Sequence, residues 1–428
     1  MRPLLAFTLF VIPGFANAED DFERPPINYS KAKPNNAIER LQKKIDGGHL
    51  TLPFHAERGY LSAVLKALRV PESSQVLVFS KTSLQRHRIG PYAPRAIYFS
   101  DELYIGFCRA GQVLEISAVD PQLGAVFYTL EQQEVDRPKF ARQTDACTLC
   151  HASSQTRNVP GHIIRSVFPD RRGEAILSMG TIRVDQTTAI DRRWGGWYVT
   201  GTHGKQKHLG NLIVKNRGDR ETIAKNPEGQ NITDLKGFFD TSKYLTPHSD
   251  IAALMVLEHQ AEAQNLLARA GIQTRLALHD QAMLNRELGR APDYSSETTL
   301  RRIRSVGGPL VRYLLFGEEA KLTDKTQGTS TFAADFAKKG PFDRKGRSLR
   351  EFDLQSRLFK YPCSYLIYSE TFEQLPNALK DFVYQQMYGV LTDRYYGGGF
   401  GHLSAGDRLA ILEILRDTKK DLPAYWRK

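Results

Sequence analysis

The chain has 428 residues, enough for a large core and, by size, for two or three domains. Its 41% hydrophobic and 25% charged residues are ordinary for a globular protein and exclude a fibre or a disordered tail, and past the first twenty residues no apolar run is long enough to span a bilayer. The formal charge of +12 becomes +11 without residues 1–18, whose only charged side chain is Arg2; spread as it is, this charge reads as a solvated basic surface, with an acidic redox partner protein or an anionic membrane as the more specific alternatives.

Residues 1–18 have the three zones of a cleavable signal peptide. Arg2 is the basic zone, Leu4 to Phe15 is an apolar stretch interrupted by Pro13, and Ala16-Asn17-Ala18 is the small-residue cleavage site before Glu19 and Asp20. Cleavage is expected after Ala18, with a periplasmic destination that takes the protein away from nucleic acid. No Cys stands at the cleavage site, which argues against a lipoprotein, and an uncleaved anchor is the alternative reading.

Residues 19–60 read as a Pro-bearing arm (Pro25, Pro26, Pro34) followed by a first short helix. From about Gln75, short runs of β-branched and aromatic residues predict antiparallel strands at Val76–Phe79, Ala96–Phe99, Leu103–Phe107, Val113–Ile116 and Val126–Tyr128. Two more are expected at Ile163–Phe168 and Ala175–Met179, so that residues 61–215 form a β-rich domain. Within it, Arg193 to Gly204 holds two of the three tryptophans, beside glycines that allow close approach of a flat ligand or a tight turn packed under the rings.

Residues 216–249 are polar and read as a linker or long loop, and residues 250–428 as a mainly helical domain. Ser249 suits the N-cap of a helix through Leu254, Leu257 and Leu267 that ends near Gly271, with a second helix from Gln273 to Leu288. Further helices are expected around 296–316 and 373–391, and a last one starts at Ser404 with Asp407 and turns Leu409, Leu412 and Leu415 inward. The fold class is therefore α+β, with a sheet-rich N-terminal half and a helical C-terminal half.

Cysteines stand at 108, 147, 150 and 363. Cys147-Thr148-Leu149-Cys150-His151 matches C-x-x-C-H, the attachment signature of c-type haem, and about 0.001 chance matches are expected in a chain with 4 Cys and 11 His. Two thiols at this spacing add to the two vinyl groups of one porphyrin, and the following imidazole becomes the proximal iron ligand. A thioredoxin-like pair needs a strand-to-helix context and a structural zinc site a second ligand pair, and neither is present in the sequence. One covalent haem c bound through Cys147, Cys150 and His151 is thus expected, with Cys108 and Cys363 left as buried free thiols, or as a disulfide in the alternative reading.

The distal ligand decides between electron transfer and chemistry on a small molecule. His203 leads, from a Gly-flanked loop after the aromatics, followed by Met179 and His208; His162 is within reach in sequence, Met255 and His259 are outsiders, and an open site is the remaining option. In an enzyme of peroxidase or oxidase type, His203 or His162 would serve as general base and Arg193 or Arg165 as charge stabiliser. Trp194, Trp197 and Tyr198 read as core packing, with an electron relay as the alternative.

The C-x-x-C-H motif resembles the cytochrome c superfamily, over a few residues and without its helical pattern. The segments Phe79 to Gln85, Pro94 to Phe99, Cys147 to His151, Arg193 to Gly204 and Tyr361 to Ser369 are together similar to large bacterial monohaem cytochrome c domain proteins of undefined reaction. That resemblance implies haem binding at Cys147, Cys150 and His151. The expected function is electron transfer, with a haem oxidoreductase or a haem-based sensor as alternatives.

Overall fold

The computed structural model describes residues 20–218, 220–394 and 398–427, so the signal peptide read at 1–18 lies outside the described residues. Helices α1 (Ala37–Asp46) and α2 (Leu61–Ala67) come first. Asn36 starts α1 by accepting the Ile38 and Glu39 N–H groups, and Lys43 and Lys44 sit at its negative end. An antiparallel meander follows, made of β1 (Val76–Val78), β2 (Arg95–Phe99), β3 (Leu103–Phe107), β4 (Val113–Asp120), β5 (Gly124–Glu131) and β6 (Phe140–Gln143). The short helix α3 (Thr148–His151) leads to the hairpin β7 (Arg165–Val167) and β8 (Thr181–Arg183), after which β9 (Trp197–Tyr198) adds to the β1 edge as the seventh strand of the main sheet. Strand β10 (Gly201–Thr202) pairs with the distant β11 (Gln327–Gly328).

Past the short α4 (Arg220–Lys225) the chain is helical: α5 (Ile251–Glu287), α6 (Glu297–Leu314), α7 (Phe332–Ala337), α8 (Glu370–Glu373), α9 (Asn377–Leu391) and α10 (Ala405–Thr418). The fold is α+β, with its sheet in the N-terminal half and its long helices in the C-terminal half.

Period-two alternation decides what each face of the sheet meets. Leu114, Ile116, Ala118, Val126, Tyr128 and Leu130 point to one face and are buried with Ile38, Leu41, Leu61 and Val64 of α1 and α2. Val76, Val78, Phe99 and Tyr104 point the other way and share a core with α5, α6, α9 and α10. Each fully buried Leu, Ile or Val contributes about 1.5–3 kcal/mol, so this division of side chains fixes the register of the strands.

Several sequence expectations are corrected. The helix beginning near residue 250 does not end at Gly271; α5 runs unbroken for 37 residues, about 55 Å at 1.5 Å per residue. The neighbours of Gly271, Ala270 and Ile272, are fully buried in the core, and that burial carries the helix through a glycine that propensity reads as a stop. Asp250, not Ser249, caps α5 by accepting the Ala252 and Ala253 N–H groups; the Ser249 hydroxyl donates to the Tyr198 carbonyl and accepts from Leu77 N–H. Residues Ala175–Met179 form no strand but end in a 3₁₀ turn at Leu177–Met179, whereas β6, which is not among the expected strands, pairs with β5 as an edge strand. Leu409 is 56% exposed, while Leu412 and Leu415 are buried as expected. Between 216 and 249, Leu235, Phe239 and Tyr244 are buried against the α1–α2 side of the sheet.

Candidate haem attachment site

The motif occupies a single turn of helix. Thr148 Oγ1 donates to the carbonyls of Thr144 (2.6 Å) and Asp145 (3.0 Å), turning the chain out of β6 and into α3. His151 N–H donates to the Cys147 carbonyl at 2.9 Å, which sets the three motif side chains on one short turn. Both thiols are free, Cys150 exposed and Cys147 half-buried. Burial, then the nearby Glu115 carboxylate and Cys150, push the Cys147 thiol up to about 11.

His151 is oriented from behind. Its Nδ1 lies 2.9 Å from the Gly161 carbonyl oxygen, which can only accept, so the proton is on Nδ1 and the Nε2 lone pair is left for a ligand. Gly161 N–H returns a 2.8 Å bond to the His151 carbonyl. The loop is pinned to α5, where Asn265 Oδ1 accepts from His162 N–H and Asn265 Nδ2 donates to the His162 carbonyl, both at 2.8 Å. A Cβ on residue 161 would be 2.2 Å from Asn265 Oδ1, so this contact demands glycine. The Phe127 ring stands 4.9 Å from the His151 ring, and burial holds the imidazole below its ordinary pKa and in the neutral form.

The sheet forms the floor of the site. Arg95 on β2 pairs with Glu115 on β4 at 2.7 Å, reaching across β3 at Gly106, where any Cβ would collide with the guanidinium at 2.3 Å. Glu115 Oε1 also accepts from Ser83 Oγ, Gln85 N–H and Gln85 Nε2, at 3.1–3.3 Å, tying the 83–85 loop to the motif. Arg95 and Glu115 both act electrostatically on Cys147 and His151, and Arg165 on His151.

The distal candidates are not gathered around His151. His203 lies at 1% exposure in a separate cluster, where its ring is 4.6 Å from that of His208, its Nε2 accepts from Asn231 N–H at 3.0 Å and its Nδ1 is buried without a hydrogen bond. His208 Nδ1 accepts from Gly210 N–H, its ring meets Trp194 edge-on, and burial pushes its pKa down to about 3. His162 is near His151 but is fixed by Ser117 Oγ, 2.8 Å from Nε2, and by the Tyr104 ring at 4.1 Å. Met179 is half-buried, packed with Phe168 against Ile176 and Leu209 on the turn that follows β7. Met255 is buried in the helical core.

Arg193, read as a charge stabiliser, is buried in an ion pair with Glu258 at 2.9 Å and also donates to the carbonyls of Thr188 and Gln186. Arg165 belongs to β7 beside the motif. Trp197 Nε1 donates to the Arg165 carbonyl at 2.7 Å and Tyr198 to the Pro91 carbonyl, as core residues do. Cys108 is buried at the end of β3 and Cys363 in the helical core, both as free thiols.

Of the polar groups of α5 the sequence singled out only His259, as an outside candidate for the iron. His259 is fully buried, with Nδ1 at 2.5 Å from Gln186 Oε1 and Nε2 at 2.8 Å from Ser364 Oγ, and stacks against Phe316 at 4.6 Å. Glu262 binds both Arg157, in the loop after the motif, and Arg183 on β8, at 2.6 and 2.8 Å. The signal was the run Glu258 to Asn265 inside an otherwise apolar helix, since buried polar residues in such a place must find partners.

No protein-family model, no curated protein and no solved structure matches this chain at a significant level.

Proposed function

We propose that the protein is an exported, periplasmic monohaem c-type cytochrome that carries electrons. The observation that bears most weight is the pairing of a C-x-x-C-H turn with the 2.9 Å contact of His151 Nδ1 to the Gly161 carbonyl. Cys147 and Cys150 offer two free thiols on one helical turn, and His151 offers a neutral imidazole with Nε2 available, a donor set that fits haem c. When bound, the haem supplies one-electron exchange between ferric and ferrous iron. The chain's own part is to hold His151 in one tautomer and orientation through Gly161 and Asn265, and to place Phe127 and the Arg95–Glu115 pair beside it. Among the described residues no helix is long and apolar enough to cross a membrane.

Electron carriage is preferred over a peroxidase-like reaction because both candidate bases, His203 and His162, and one of the two candidate arginines, Arg193, are already engaged. Arg193 is neutralised by Glu258 and His203 is held by Asn231, so neither is free to act on a substrate at His151. The test is the visible spectrum of the protein purified from a host that matures cytochromes c. A haem band that survives denaturation with the chain, and a reduced spectrum unchanged by carbon monoxide, is expected. Loss of all haem on denaturation would refute covalent attachment, and a Soret shift with carbon monoxide would replace electron carriage by the enzyme or sensor reading.

A further inference from the structure

The three most exposed leucines among the described residues are Leu149 and Leu177, each 82% exposed, and Leu84 at 59%. Leu149 is inside the attachment turn. Leu84 and Leu177 stand on two loops that touch each other, the first of them tied to Glu115, whose carboxylate acts electrostatically on Cys147. Leu84 is on the loop that Ser83 and Gln85 tie to Glu115, and Leu177 follows the turn at 170–174, whose Gly173 carbonyl accepts from Lys81 N–H at 3.0 Å. The two loops are in contact, since a Cβ on Gly173 would strike the Phe79 carbonyl at 2.4 Å.

Charge on these loops is net positive. Residues 80–95 contain Lys81, Arg86, Arg88 and Arg95 and no acid. The neighbouring turn exposes Arg171 and Arg172, while its own carboxylates are engaged: Asp170 accepts the Arg172 and Glu174 N–H groups, and Glu174 pairs with Lys81 at 3.2 Å. Arg86, Arg88, Arg171 and Arg172 are exposed and have no ion-pair partner among the described residues. Four exposed guanidinium groups without ion-pair partners, on the two touching loops that also carry Leu84 and lead into Leu177, give this spot a positive field beside exposed apolar surface.

We propose that this face, formed by Arg86, Arg88, Arg171 and Arg172 around Leu84 and the parts of Leu149 and Leu177 that a bound haem leaves uncovered, docks a small acidic electron-carrier protein. The proposal rests on the haem reading above. Complementary charge speeds encounter and orients the carrier, and the leucines supply the apolar centre of a brief contact next to the attachment turn. An anionic membrane is the lesser fit. The basic residues are carried by a 3₁₀ turn of three residues and a tight turn, not by an amphipathic helix able to lie in a bilayer surface, and a membrane there would cover the site of electron exchange.

The test follows reduction of the ferric holoprotein by a reduced acidic [2Fe–2S] ferredoxin in stopped flow, at low and high ionic strength. Each ferredoxin gives one electron to one iron, with no proton moved. Arg86→Glu/Arg88→Glu and Arg171→Glu/Arg172→Glu are each expected to slow the second-order rate about tenfold or more at low salt, with the difference vanishing at high salt. Arg301→Glu/Lys338→Glu, which changes net charge equally on exposed residues elsewhere, is expected to leave it within about twofold. Equal slowing by all three pairs, or no salt dependence, would overturn the docking face. So would loss of co-sedimentation with phosphatidylglycerol vesicles in the arginine variants while the ferredoxin rate stays unchanged, which assigns the face to a membrane. Absence of covalent haem in the starting spectrum is separate, and sinks the cytochrome reading itself.

Discussion

Two histidine-bearing regions of this molecule contrast sharply. In the buried half of α5 the imidazole of His259 is enclosed: both its nitrogens are bonded, aromatic rings stack on it, and burial pushes its pKa down to about 3. At the attachment turn, His151 has one nitrogen bonded to a carbonyl and the other unengaged, next to an exposed thiol. A buried imidazole with both nitrogens satisfied is part of the core, whereas one oriented by a single bond and left open is ready to take a ligand. Histidine counts do not separate the two, but the bonds to each ring nitrogen do.

The strongest way to break the contrast is to alter the open site. His151→Ala, or Cys147→Ala with Cys150→Ala, is expected to abolish haem attachment, read as loss of the haem-stained band on a denaturing gel, while His259→Gln leaves that band in place. Retention of full staining in the double cysteine variant would remove the attachment site from this turn.

Next comes the closed region. Arg193→Leu strands Glu258, whose side chain is fully buried, and is expected to cost about 3–5 kcal/mol in denaturant unfolding, as removal of one partner of a buried ion pair does. A loss below about 1 kcal/mol, the range of exposed pairs, would show that water reaches the carboxylate.

Glu258 also gives the region a pH dependence. Burial is the main cause that raises its carboxyl from 4.5 to about 7, against the opposing pull of Arg193, and one of its oxygens, Oε1 near the Trp194 indole, has no hydrogen bond within ordinary geometry. The folded protein therefore keeps a proton that the unfolded chain releases above about pH 4.5. That contribution is fully present below pH 4.5 and is lost as pH rises through 7. Glu319, raised by burial to about 7 as well, adds in the same direction. Buried neutral His208 and His259 act in the opposite direction, adding stability as pH rises towards 6.5, so the contribution of Glu258 is read as a difference: the urea midpoint of the wild type minus that of Glu258→Gln is expected to fall between pH 5 and pH 8, and a constant difference would exclude Glu258 as a source.

The smallest effect is a thiol count. Cys108 and Cys363 are buried and burial raises both thiols, that of Cys108 to about 12, so neither should react in the native holoprotein. Unfolding in denaturant is expected to expose two thiols if Cys147 and Cys150 hold the proposed haem. Four would mean that no thioether forms, and none would mean that Cys108 and Cys363 pair.

The features legible in the amino-acid sequence are local ones. Period-two runs place the strands of the meander from 76 to 131, since side-chain alternation is a property of each strand alone, and the α+β division follows from the change to helical periodicity after residue 250. The attachment turn is legible because its chemistry needs only five consecutive residues. The rest depends on the tertiary structure, for reasons of distance along the chain. Gly161 and Asn265, which orient His151, are 10 and 114 positions from it, and neither residue type announces that task. Gly271 carries a helix-ending signal that the burial of its neighbours overrides, and His203, promising by its glycine-flanked loop, is drawn instead to Asn231 and His208. Sequence by itself determined where the C-x-x-C-H spacing stands, on which the proposed haem attachment rests; only packing decided which imidazole is left with a free nitrogen, because satisfying buried polar groups is settled by neighbours far away in the chain.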